Sequence, residues 1–183
     1  MRRAAATLIA ALAVTLGAVP LGIADTTSGT DARDDVEGSP PGGASAADLV
    51  RATAGTNSRG QLVHTVTIAG TAADPSGDGP VPGIHIELPA QPNAVAECTV
   101  FVGQFKGRLG VYRCGTGERL GSAKVVRTTS HTTRYTFSPR ALGSPRSYDW
   151  AVITRARTTT NGSWTRHDRL PSGDDAYLSY SLR

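Results

Sequence analysis

The chain has 183 residues, enough for one domain with a real core and too short for two of ordinary size. Lys and Arg outnumber Asp and Glu 19 to 15, but only two are lysines and no five cationic side chains run together. That pattern speaks against a nucleic-acid partner, and no stretch beyond the N-terminus has the length and apolarity of a membrane span.

The chain opens with Met1-Arg2-Arg3, a short cationic start, followed by an uncharged apolar run from Ala4 to Val19. Gly22 and Ala24 then place small residues at −3 and −1 of a cleavage point. Residues 1–24 read as a secretory signal peptide, so the expected mature protein begins near Asp25 and is secreted. No Cys follows the cleavage region to accept a lipid anchor. Residues 25–47 are rich in Thr, Ser, Gly, Asp and Pro and hold one Val, the profile of a flexible leader or a wrapping arm. The folded domain is expected over residues 48–183.

Charge is divided unevenly. Residues 25–97 carry ten acids and three bases, and residues 98–183 carry five acids and fourteen bases. A basic half suits an anionic partner such as a teichoic acid or acidic polysaccharide. The competing reading is that strand surfaces carry Arg as a matter of course and the halves neutralise each other.

From residue 48 onward the patterning is β. In residues 61–69, Leu62, His64, Val66 and Ile68 share one face, and Val63, Thr65 and Thr67 the other. Ile84, Ile86 and Leu88 alternate with His85 and Glu87. Residues 97–102 and 108–113 form a hairpin pattern, 120–128 and 132–138 two more strands, and 147–159 the longest. There, Tyr148, Trp150 and Val152 point one way, Ala151 and Ile153 the other. Asn161-Gly162 is a two-residue hairpin turn signal. The expectation is an all-β fold: an antiparallel β-sandwich of about nine short strands, with a barrel as the alternative.

Cys98 and Cys114 are the only cysteines, and export favours their oxidation. A hairpin centred on Lys106 would place them opposite each other as one cross-strand disulfide. Asp74 and Asp78 flank a Pro-Ser-Gly turn and are the first candidates for Ca²⁺; Asp31, Asp34, Asp35 and Glu37, and the pair Asp174-Asp175, are further acidic clusters. Trp164, just past the Asn161-Gly162 turn and beside Arg166 and His167, is the best candidate for a carbohydrate contact. The four histidines lack metal-ligand spacing, and no G-x-S-x-G elbow occurs. The expected function is therefore non-catalytic binding of extracellular carbohydrate or cell-wall polymer. The alternative is a structural or protein-interaction domain stabilised by Ca²⁺, with a small hydrolase ranked below both.

Three stretches carry a family likeness: Asp48-Leu49-Val50 with the strand Gln61 to Val66, Tyr135-Thr136-Phe137-Ser138-Pro139 before a Tyr-x-Trp strand, and Asp168-Arg169-Leu170-Pro171. In element order the chain resembles small exported actinobacterial β-sandwiches, and through them the DOMON and family 9 carbohydrate-binding sandwiches. Abundant Ala, Gly and Arg with scarce Lys fits that origin. The resemblance implies a sandwich fold with a ligand-binding role and brings no catalytic motif.

Overall fold

The computed structural model describes residues 24–40, 43–72, 81–88, 99–157, 164–173 and 176–182. The stretch up to residue 23, expected from the sequence to be a signal peptide, and Asp74, Asp78, Cys98, Asn161-Gly162, Asp174-Asp175 and the side chain of Trp164 lie outside them. In chain order the strands are β1 (Ala24–Thr30), β2 (Leu49–Thr56), β3 (Leu62–Ile68), β4 (Val81–Glu87), β5 (Val100–Phe105) and β6 (Arg108–Arg113). Then follow β7 (Arg119–Gly121), β8 (Ala123–Arg127), β9 (Thr132–Phe137), β10 (Ser147–Arg157), β11 (Trp164–Leu170) and β12 (Leu178–Ser181).

The strands form two antiparallel sheets. One runs β1-β2-β3-β9-β8, the other β11-β10-β4-β5-β6-β7 with β12 also paired to β10. The expected all-β architecture stands, with twelve described strands rather than about nine. Two of the extra strands have clear physical causes. Residues 120–128, expected as one strand, break at Ser122: β7 pairs with β6 in one sheet and β8 with β9 in the other, so the chain changes sheets there. Of residues 25–47, expected as a flexible leader or a wrapping arm, the described parts are 25–40 and 43–47, and the first of these carries backbone bonds to β2 and β11. The first part of this arm, β1, is held by backbone pairing to β2, which requires no apolar side chains.

The core lies between the sheets. Leu62, Val66, Tyr135 and Phe137 meet Ile84, Ile86, Val100, Val102, Trp150 and Leu170, all essentially inaccessible to water. The period-2 alternation of β3 and β10 puts these residues inward. The other face of β10 is buried as well: Ala151 pairs with His85 of β4, and Ile153 lies beside them. Phe101 of β5 lies across Gly83 and Gly103, where a Cβ on Gly83 would come within 2.2 Å of the ring. Glycine there makes room for an aromatic on a neighbouring strand.

The β5–β6 hairpin corrects one expectation. Its turn is the two residues Lys106 and Gly107, at φ +48° and +74°, the twist-matched type that needs positive φ at both positions. The hairpin centre therefore falls between these residues, not on Lys106. Val100 faces Arg113, and the Cys114 N–H donates to Thr99 O at 3.1 Å. Cys114 thus stands opposite Thr99 rather than Cys98. No free cysteine is found among the described residues.

Candidate functional site

Of the expected contact residues, Arg166 and His167 line an open cleft of about 270 Å³ between β11 and the N-terminal arm, with Asp35, Glu37, Asp168 and Arg169. His167 is buried, and its Nδ1–H donates to Glu37 O at 2.8 Å, while the Glu37 N–H donates to His167 O at 2.7 Å. This pair of bonds fastens the arm to β11. Trp164 begins β11. Of the other tyrosines and tryptophans, Tyr112, Tyr148 and Trp150 are buried, and the Tyr177 ring lies under the Arg169 guanidinium, 4.8 Å from its centroid.

The cleft ends in an acidic cluster. One carboxylate oxygen each from Asp31, Asp35 and Asp168 lie within 4.8 Å of one another. Asp168 Oδ2 accepts the Leu49 N–H at 2.6 Å and Oδ1 the Arg169 N–H at 2.6 Å. Asp31 Oδ1 accepts from Ser172 Oγ at 2.6 Å, and its Oδ2 is buried without a hydrogen bond. Asp48, wholly buried, takes the Asp34 N–H on Oδ2 at 3.1 Å, while its Oδ1 has no partner. Burial, and then the neighbouring charges of Asp31 and Asp35, push the Asp168 carboxyl up to about 6 against its backbone hydrogen bonds. Asp31 is raised too, chiefly by burial. The sequence shows Asp31 and Asp35 as part of an acidic run. Asp48, 13 residues after Asp35, and Asp168, more than a hundred residues away, join them only through the fold, and no local pattern signals it.

His64, on the face shared with Leu62 and Val66, is a core residue. It is fully buried beside Phe137, Tyr148 and Trp150, with Nε2 2.9 Å from Tyr148 Oη. Burial lowers its pKa to about 3, so it is neutral at physiological pH.

The second feature is the outer face of the five-stranded sheet. Cross-strand pairing lays three rows over it. Thr30, Arg51, Thr67 and Thr132 form the first, and Ser28, Thr53, Thr65, Arg134 and Val126 the second. Gly55, Val63, Thr136 and Lys124 form the third. No acidic residue stands in these rows. Arg51, Arg134 and Lys124 are exposed, and the intervening hydroxyls are exposed or half-buried. From the usual strand spacing and rise, the backbones of Arg51 and Arg134 are about 12 Å apart and those of Arg134 and Lys124 about 8 Å. The three cations thus run diagonally across a hydroxyl-covered surface. Among the described residues the ion pair found is elsewhere, between Arg113 and Glu118 at 2.9 Å.

Comparison of the chain with protein-family models, curated proteins and solved structures finds no match.

Proposed function

We propose that the chain is a non-catalytic β-sandwich module that works outside the cell and holds an acidic polysaccharide on the outer face of its five-stranded sheet. One observation carries this reading: Arg51, Arg134 and Lys124 project among Ser and Thr hydroxyls in rows that contain no carboxylate. A polymer that alternates anionic groups with hydroxyls matches such a surface in both charge and hydrogen bonding. Nucleic acid suits it less, because the rows offer no aromatic ring for a base to stack on and no helix to enter a groove. In this reading residues 1–24 are removed on export, and Cys98 and Cys114 are joined in a disulfide.

The test is co-sedimentation or affinity electrophoresis with polygalacturonate, with dextran as neutral polymer and duplex DNA as a second polyanion. Binding to polygalacturonate should weaken as salt rises, since exposed charges are screened. At about 1 kcal/mol per cation beside an anionic surface, the triple variant Arg51→Gln, Lys124→Gln, Arg134→Gln should bind about a hundredfold more weakly. Arg140→Gln, exposed outside these rows, should bind as the parent does. Equal affinity for DNA, or undiminished binding by the triple variant, would refute the assignment.

A further inference from the structure

Three carboxylates converge where the arm crosses the sandwich, Asp31, Asp35 and Asp168, and a fourth, Asp48, is close enough for its charge to act on Asp31. Asp31 and Asp35 come from the arm, Asp48 from the residue before β2, and Asp168 from β11. Like charges this close repel one another, and a positive partner relieves that repulsion. The buried guanidinium that lines the same cleft, Arg169, is in no ion pair with them: its Nε–H donates to Gly173 O at 2.8 Å and its Nη2–H to Ala176 O at 2.7 Å, while its Nη1 has no hydrogen-bond partner. Among the described residues none of the four acids is in an ion pair.

Separately from the clustering, two oxygens are buried with nothing to bond to. Asp48 is 0 % exposed, and its Oδ1 lacks a hydrogen-bond partner, as does the buried Oδ2 of Asp31. A buried carboxylate oxygen left unpaired is costly, and native structures rarely keep one without an unseen partner. Asp48 adjoins the arm and the cluster: its Oδ2 takes the Asp34 N–H, and its charge acts on Asp31.

We infer that Asp31, Asp35 and Asp168, backed by Asp48, bind a divalent cation, Ca²⁺, that clamps the N-terminal arm to the sandwich. All the donors are oxygens, the preference of a hard cation. Oxygens at about 2.4 Å on opposite sides of Ca²⁺ are about 4.8 Å apart, so the observed spread is one a single ion can bridge. The cleft beside the cluster leaves room for water or further oxygen ligands, as a coordination number of six to eight requires. Mg²⁺, which demands a tighter octahedron at about 2.1 Å, fits a mixed set of arm and strand carboxylates less well. The inference is independent of the polysaccharide reading, and its test contains no glycan.

The experiment is thermal melting of the chelator-treated protein with CaCl₂, MgCl₂ or EDTA, together with hydrogen exchange of the β1 amides. At Ca²⁺ tenfold above its dissociation constant, the melting temperature should rise by about 3–6 °C. The amides of β1 should exchange more slowly, which mere charge screening would not bring about. Asp35→Asn alters an exposed side chain and should fold, yet it should lose most of the Ca²⁺ shift. Asp149→Asn, on β10, whose carboxylate accepts from Ser179 Oγ of β12, should keep it. Equal melting in Ca²⁺ and EDTA, or a full shift retained by Asp35→Asn, would overturn the site. An equal shift with Mg²⁺ at the same concentration would overturn the choice of Ca²⁺.

Discussion

Acidification should destabilise this protein through one buried side chain. His64 has no exposed surface, and burial lowers its pKa from the ordinary 6.5 to about 3. Its contribution to stability is therefore complete above pH 6.5 and is lost as the pH falls, because only the unfolded chain then takes up the proton. At about 1.4 kcal/mol per pH unit, the loss at pH 5 is about 2 kcal/mol, or about 4–8 °C in melting temperature. Asp168 acts with the opposite sign: its pKa is raised to about 6, so its protonation favours the fold as the pH drops through that value. The informative quantity is thus the difference between the parent and His64→Gln, measured by melting from pH 7 to pH 5. Glutamine keeps a polar group for Tyr148 and removes the titration. The two curves should converge as the pH falls. A constant difference across that range, or a His64 ring that titrates above pH 5 by NMR, would refute the reasoning.

Gly70→Ala should destabilise by about 1–3 kcal/mol, because its Cβ would lie 2.7 Å from the backbone C and O of Ser45, which cannot swing away. Unchanged denaturant unfolding would show that the arm turn at Ser45 yields freely. Alkylation of the unreduced, denatured protein followed by mass measurement should label neither Cys98 nor Cys114, and reduction should cost about 3 kcal/mol for a loop of 17 residues. Two labelled cysteines would exclude the bridge.

What the sequence disclosed and what it concealed divide along physical lines. The alternation of Leu62, His64, Val66 and Ile68, and of Tyr148, Trp150 and Val152, identified core faces because burial of one sheet face imposes a period of two. β1 was not legible: Thr-Thr-Ser-Gly-Thr shows no apolar alternation, since an edge strand can be held by its backbone alone. The one-residue shift of the β5–β6 hairpin arose from turn geometry, where Lys106 adopts a positive φ that its side chain does not advertise. The polar face was half visible, in Thr65 and Thr67 opposite the core residues of β3. That β9 and β8 would extend it with Arg134 and Lys124 depends on which strands lie side by side, and local patterning carries no such information. For the same reason Asp168 could not be joined to Asp31 from the sequence, whereas the Asp31 to Glu37 run was plain.

β10 keeps β4 along one edge and divides the other between β12, opposite Ser147 to Trp150, and β11, opposite Val152 to Arg157. The first and last strands also touch: a Cβ on Gly29 of β1 would meet Leu178 of β12 at 2.7 Å. The larger sheet is therefore incomplete until residues 178–181 are in place: without them β10 lacks part of one edge, and β1, already paired to β2, lacks its packing partner at Gly29. Non-local pairing of this kind is slow to form, and the strands made earlier must stay soluble with open edges until the last one is in place.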